Sequence, residues 1–300
     1  MITIERIEKI KSIIKDLKKQ GKVIGFVPTM GFLHEGHLSL VRESVKKADI
    51  TVVSIFVNPT QFGPQEDFRR YPRDIERDKK TLEEEKVDYL FCPSVNKMYP
   101  EGYKTYVETK DLQDKLCGHS RFGHFRGVCT VVLKLFNIVQ PDIAFFGQKD
   151  AQQAIIIKRM AEDLNLDVKI DVLPIIREED GLALSSRNTY LNLEERKAAT
   201  ILYRSLTAAE EMIREGEKSS EKIISKMRSM IETEPFARID YVEIVDLEEL
   251  NSLKEIKNKA LIALAVFIGK TRLIDNMIVD VTSRRSHATS HKSQVTSCKQ

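Results

Sequence analysis

Residues 27–38 read V-P-T-M-G-F-L-H-E-G-H-L, and no other stretch limits the fold and chemistry of this chain so strongly. The apolar residues Val23, Ile24, Phe26 and Val27 run into a proline and then a glycine-containing turn. Beyond the turn, Leu38, Ser39, Leu40 and Val41 continue with helical character. A strand that turns directly into a helix N-terminus aims free backbone N–H groups and the positive end of the helix dipole at one place, which makes an anion site. His34 and His37, three residues apart, share one face of that helix start. Two imidazoles over an anion site suit a phosphate that gains charge during reaction. For two histidines alone, a surface turn would be the better explanation. The strand, the glycines and the helix start favour catalysis instead.

The same alternation continues along the chain. Apolar side chains at Ile4, Ile7, Ile10, Ile13, Ile14 and Leu17 have helical spacing and predict a helix over 4–19. Strands are predicted over 22–27, 50–57, 87–92, 143–146 and 168–176, and helices over 36–47, 74–85, 125–139 and 151–164. Such alternation predicts an α/β fold: a Rossmann-like parallel sheet with helices on both faces, ligands binding at the carboxyl ends of its strands. From residue 193 the texture changes. Helical stretches over 193–214 and 220–231 precede two or three strands, at 239–245, 261–268 and 273–279. This reads as a smaller α+β C-terminal domain, and the charged, glycine-containing segment 178–188 marks the boundary. The expected division is 1–180, 186–282 and a disordered tail, 283–300.

A hydrophobic fraction of 42% over 300 residues is enough for a real core. No apolar run approaches the length of a membrane span, and the charged N-terminus is not a secretory signal. Cys92, Cys117, Cys129 and Cys298 form no C-x-x-C pair, which fits incidental thiols in a reducing cytoplasm. The pI of about 8.5 misleads. Residues 284–300 carry four Lys/Arg and no acid. The 48 basic residues less these four leave 44 against 45 acidic ones, a net of −1. A nucleic-acid surface is therefore not supported.

Further candidates follow the other strands. In V-N-P-T-Q-F-G (57–63), Asn58-Pro59 signals a turn and Gln61 offers a neutral amide as both donor and acceptor. Taken alone it is an ordinary polar loop. F-F-G-Q-K-D (145–150) opens a helix carrying Gln152 and Gln153. Gly147 permits close approach and Lys149 suits phosphate. A cation at a helix start opposes the dipole unless an anion answers it, which points to function. G-L-A-L-S-S-R-N (181–188) has two hydroxyls and a guanidinium able to bind polyphosphate bidentately, and equally reads as an interdomain linker. The charges of 64–78 read mainly as a solvated face, with Asp78 a minor candidate for supporting magnesium on a triphosphate. His124 and Arg126, before the next helix, form another anion candidate. His119 reads as a loop residue.

The pattern H-x-G-H after a first strand resembles the signature of the nucleotidyltransferase superfamily. Five motifs together narrow this: P-T-M-G-x-L-H-E-G-H, S-I-F-V-N-P-x-Q-F, F-x-G-V-x-T-V-V-x-K-L-F, F-F-G-x-K-D-x-Q-Q and L-S-S-R-N. In this order they resemble the pantothenate synthetase (pantoate–β-alanine ligase) family, over almost the whole chain to about residue 280. The resemblance implies a cytoplasmic homodimer that joins pantoate to β-alanine through pantoyl adenylate, using Mg-ATP and releasing pyrophosphate and AMP. It implies that Met30, Gly31, Phe32, Leu33, His34, Glu35, Gly36 and His37 line the ATP site, with His37 assisting as an acid. It adds Gly147, Gln148, Lys149, Asp150, Ile176, Leu184, Ser185, Ser186 and Arg187 to that site. Gln61 and Gln153 would hold pantoate, and Gln61 would also border β-alanine. Catalysis would rest on His34, His37, Lys149 and Arg187. Gln148 and Leu184 stand where glutamate and methionine are common in the family, and neither change removes a charge assigned to the chemistry. The readings that compete are a cytidylyl- or adenylyltransferase, a small tRNA-directed synthetase and a non-catalytic nucleotide-binding regulator. The electrically balanced body argues against the tRNA reading, and the retained histidines, lysine and arginine against the regulator.

Overall fold

The computed structural model describes residues 1–64 and 66–281, so the expected tail and Cys298 lie outside the described residues. In chain order the first half comprises β1 (Ile2–Ile4), α1 (Ile7–Lys19), β2 (Ile24–Thr29), α2 (Glu35–Lys47), β3 (Ile50–Ile55), α3 (Ile75–Glu84) and β4 (Tyr89–Phe91). Two single-turn helices follow, α4 (Val95–Met98) and α5 (Cys117–Ser120). Then come α6 (His124–Val139), β5 (Ile143–Gly147), α7 (Ala151–Asp163) and β6 (Lys169–Leu173).

These six strands form one parallel sheet in the order β1-β4-β3-β2-β5-β6. The chain winds outward from β2 through β3 to β4, then crosses back to place β5 on the other side of β2. In doubly wound sheets ligands bind at such a reversal, outside the strand carboxyl ends. Those ends are the segments after Thr29 and after Gly147, where the two strongest motifs sit. Near-continuous apolar strands are what a sheet covered on both faces requires. Ile24, Phe26, Val27, Val52 and Val53 are all fully buried.

Three expectations shift. The helix predicted over 4–19 begins at Ile7, and Ile2–Ile4 pair parallel with β4 as an edge strand. Three residues are too few to show a period of two. The strand predicted over 168–176 ends at Leu173, because Pro174 cannot donate to the ladder. The single helix predicted over 193–214 is two, α8 (Leu193–Ala198) and α9 (Ile201–Arg214). The join is tightened by i→i+3 bonds from Thr200 to Lys197 and from Leu202 to Ala199, with no glycine or proline to announce it.

After α10 (Ser220–Glu232), the strands β7 (Ala237–Val245), β8 (Lys259–Ile268) and β9 (Thr271–Asp280) form an antiparallel meander. β8 is buried on both faces in strict alternation. Ile262, Leu264 and Val266 face α9 and α10, packing with Leu202, Leu206 and Met227. Leu261 and Ala263 join the main core with Ile156 and Met160 of α7. The meander is thus joined to the parallel-sheet half by apolar contact rather than hung from a linker.

Gly127 of α6 packs directly against the backbone of Thr60 and Gln61. A Cβ there would lie 2.4 Å from the Thr60 carbonyl oxygen and 2.7 Å from Gln61 Cα. Backbone cannot yield as a flexible side chain can. Gly127→Ala is expected to cost about 1–3 kcal/mol of stability, as overpacking does. Urea unfolding measures it, and an unchanged midpoint would show that α6 and residues 60–61 are not in contact.

Candidate active site

The corner between β2 and α2 is built from the backbone outward. Gly31 (φ +81°) and Phe32 (φ +51°) both take left-handed conformations. That is unusual for phenylalanine and needs external support. Asp78 of α3 supplies it: its two carboxylate oxygens accept the Phe32 and Leu33 N–H groups at 2.7 and 2.8 Å. Arg77 adds a bond to the Leu33 carbonyl and lies 4.9 Å from the Phe32 ring centroid. Asp78, a minor magnesium candidate in the sequence, thus braces the turn and does not line the histidine cleft. Its oxygens are committed to the turn, and it lines a separate pocket behind it together with Gly31 and Phe32.

His34 caps α2, its Nδ1 accepting the Gly36 N–H at 3.2 Å. The His34 N–H in turn donates to His37 Nδ1 at 3.4 Å, and the two rings lie 4.1 Å apart. Because both Nδ1 atoms accept, each neutral ring carries its proton on Nε2. Burial, then the nearby Lys149 ammonium, pull His34 down to about 4. Burial, then His34 and Lys149, hold His37 well below the ordinary histidine value. Both are therefore neutral N–H donors near pH 7, not cations.

One cavity of about 210 Å³ is lined by His34, His37, Lys149 and Arg187, so the structure brings the four proposed catalytic side chains together. Met30, Gly36, Gly147, Asp150, Ile176, Leu184, Ser185 and Ser186 also line it, as do Gln61 and Gln153. A larger neighbouring cavity of about 710 Å³ shares Lys149, Asp150 and Arg187 with it and extends toward β9. Five residues expected at the nucleotide do not line this cavity. Gly31, Phe32 and Leu33 form the turn, Glu35 pairs on the surface with Arg42, and Gln148 faces Asn276 of β9. Lys149 has a local answering anion in Asp150, 3.6 Å away.

Arg187 is held bidentately by Asp67, at 2.9 Å for both bonds. Burial alone would raise the Asp67 carboxyl, but Arg187 more than reverses this and leaves it below the usual range. The adjacent Glu66 grips Arg121 in the same way, at 2.7 Å twice. Arg121 lines the cleft and has no counterpart among the sequence candidates. The two acids were expected on a solvated face. They are instead the counter-charges of the cleft, across 55 and 120 residues. No local pattern announces pairs so far apart.

His124 lines the cleft between the Gln61 carbonyl (2.7 Å from Nδ1) and Arg121 (2.9 Å from Nε2). A carbonyl can only accept, so Nδ1 carries the proton and the ring is neutral. Burial, then Arg121, bring it down to about 3. Arg126 points away, pairing with Glu108 and lying 4.0 Å from the Tyr106 ring centroid. Gln61 is oriented by Asn58, whose amide donates to Gln61 Oε1 at 3.1 Å and whose own Oδ1 accepts from Tyr99 at 2.9 Å.

The sequence profile described as Pantoate-beta-alanine ligase matches residues 2–278. The chain belongs to the pantoate–β-alanine ligase family. A pantothenate synthetase of Caldicellulosiruptor saccharolyticus is 59% identical over 281 residues, covering 94% of this chain and all of that one. Among solved structures, the Thermus thermophilus pantothenate synthetase superposes with a TM-score of 0.89 at 44% identity, covering 94% of this chain and 99% of that one. The Francisella tularensis ligase, complexed with β,γ-ATP and β-alanine, gives 0.76 at 38%, covering 93% and 97%. In this member of the ligase family, the H-x-G-H motif opens a cleft that sets the cations Lys149, Arg121 and Arg187 beside two neutral imidazoles.

The three neutral histidines set a stability profile. Their folded-state pKa values lie below the unfolded 6.5. Their contribution is therefore complete above about pH 6.5 and is lost as pH falls toward about 4 and about 3, while the unfolded chain takes up protons. Melting temperature is expected to drop between about pH 7.5 and about pH 5.5, and to drop less in His124→Gln. Calorimetry at the two values checks this; equal melting temperatures in the native chain would contradict it.

Proposed function

We propose that the chain condenses (R)-pantoate with β-alanine at the expense of ATP, giving pantothenate, AMP and pyrophosphate. Family membership at about 59% identity supports the reaction, and the observation that carries it to these residues is the single cleft shared by His34, His37, Lys149 and Arg187. In the first step a pantoate carboxylate oxygen bonds to the α-phosphorus of ATP. The bond to the bridging oxygen breaks and pyrophosphate leaves. Anion meets anion, and charge builds on the equatorial oxygens, so fixed donors and cations aimed at that charge do most of the work. The Nε2–H groups of His34 and His37 supply dipoles at the helix start, and Lys149 supplies a point charge. Arg187 keeps Nη1 without a hydrogen bond among the described residues while Asp67 holds its other edge. Gln61 and Gln153 supply neutral amides for pantoate.

In the second step the neutral amine of β-alanine attacks the acyl carbon and the bond to the adenylate oxygen breaks. The amine proton leaves and AMP is released. Water competes for the same carbon, so enclosure matters. The C-terminal unit, taken as distinct from 1–180, reaches the cleft through Ser186 and Arg187 and walls the neighbouring cavity through β9.

Among the described residues no group of three or more acids, histidines or cysteines is placed to hold a metal. Asp78 is committed elsewhere. Magnesium enters with the substrate as Mg-ATP, carried by phosphate oxygens and water. Family likeness also supports a homodimer in the cytoplasm. No helix among the described residues is long and apolar enough to cross a membrane.

ATP–pyrophosphate exchange tests the reading. Exchange is expected only with pantoate present; exchange without it would remove pantoate as the attacking acid. His37→Ala is expected to slow adenylate formation roughly 10²–10⁴-fold while β-alanine attack on supplied adenylate changes far less. Equal losses in both steps would contradict its assignment to the phosphate. Lys149→Ala is expected to impair ATP use, and unchanged ATP affinity and turnover would place it outside the site.

A further inference from the structure

The cleft's phosphate-side lysine sits on a segment that the antiparallel meander holds from behind. Asn276 of β9 is 3% exposed. Its amide Nδ2 donates to the carbonyls of both Gln148 (2.9 Å) and Lys149 (3.0 Å). Its Oδ1 accepts from Gln148 Nε2 at 3.3 Å. Every polar atom of the Asn276 side chain is thus spent on the two residues that present the Lys149 ammonium. The neighbouring residue reaches the other phosphate-side segment. Asp275, 2% exposed, is gripped bidentately by Arg177 at 2.7 and 2.9 Å. Arg177 also donates to the Gly181 carbonyl, inside the loop that leads to Ser185–Arg187. Adjacent residues on one buried strand therefore fasten both segments that close on the cleft.

We propose that Asn276, steadied by the Asp275–Arg177 pair, is a positioning residue for ATP: it fixes the Gln148–Lys149 backbone so that Lys149 meets the triphosphate. This rests on the ATP-dependent reading above, yet it concerns a residue that touches no substrate. It makes the meander a fixed support of nucleotide binding as well as a wall of the neighbouring cavity. Support from that side is rigid, because Leu261 and Ala263 of the central strand are packed in the same core as α7, the helix that follows Lys149.

The pattern of hydrogen bonds is specific to amides. With Nδ2 shared between two carbonyls, Oδ1 must meet a donor, and Gln148 Nε2 is that donor. Asn276→Asp keeps the shape but turns an acceptor toward two carbonyls. Asn276→Ala removes the bonds and leaves the two carbonyls unmatched.

The test reads ATP affinity directly by titration calorimetry, with a melting scan of each variant. Asn276→Ala and Asn276→Asp are expected to weaken ATP binding roughly tenfold, the scale of one or two lost hydrogen bonds. KM for pantoate and the rate of β-alanine attack on supplied adenylate are expected to stay within about twofold, which a general loosening of the fold would not allow. In a Lys149→Ala background the same Asn276→Ala change is expected to weaken ATP binding by less than about twofold, because its effect passes through Lys149. Undiminished ATP affinity in both Asn276 variants would overturn the proposal. So would a tenfold loss that persists without Lys149. A native chain that binds ATP with this Asn276 dependence but shows no pantoate-dependent exchange would remove the reaction and leave the positioning role standing.

Discussion

The backbone hydrogen bonds that hold His34 and His37 decide what the rest of this molecule has to do. An N–H from Gly36 and an N–H from His34 each end on an imidazole Nδ1. Those two bonds fix the tautomer, and the tautomer fixes what the cleft offers to a phosphate. They exist only if the chain turns sharply from β2 into α2. That turn exists only if a left-handed phenylalanine is tolerated, and Asp78 makes it tolerable from outside the cleft. A carboxylate that reads in the sequence as a minor candidate for magnesium is here the brace of a strained corner. Burial pushes its carboxyl above the usual range despite the two N–H groups it accepts.

A second constraint is charge. Three guanidiniums near the cleft are each gripped by a carboxylate: Arg187 by Asp67, Arg121 by Glu66 and Arg177 by Asp275. An unpaired buried cation is costly, so a site meant to receive ATP cannot simply be lined with free arginines. The pairs keep these cations in position before any anion binds. Their partners come from the 66–67 segment and from β9, which ties the cleft's electrostatics to elements far from the H-x-G-H corner. Lys149 is the exception: among the described residues it pairs only with the neighbouring Asp150, at 3.6 Å, and its segment is held by Asn276.

The sequence reading and the structure agree where chemistry is local. Val23–Val27 followed by Pro28, Gly31 and two histidines three apart needs only short-range rules to become strand, turn and helix. Phe145–Gly147 before Lys149 is legible in the same way, and the doubly wound sheet follows from the alternation. What stayed hidden is either long-range or very brief in sequence. Ile2–Ile4 is too short for a periodicity. Glu66 and Asp67 sit in a run of charges whose partners lie 55 and 120 residues away. Asn276 looks like one polar residue in an edge strand until β9 is placed behind Gln148 and Lys149. The Gln148 amide becomes intelligible only against Asn276, whose Oδ1 accepts from it.

The chemistry of the cleft turns on two imidazoles that are neutral and carry their protons on Nε2 before any substrate binds. Nitrogen-15 NMR of histidine-labelled protein at about pH 7 reads this directly, since protonated and unprotonated ring nitrogens resonate far apart. His34 and His37 are expected each to show an unprotonated Nδ1 and a protonated Nε2. Two protonated nitrogens on either ring, or a proton on Nδ1, would contradict the account.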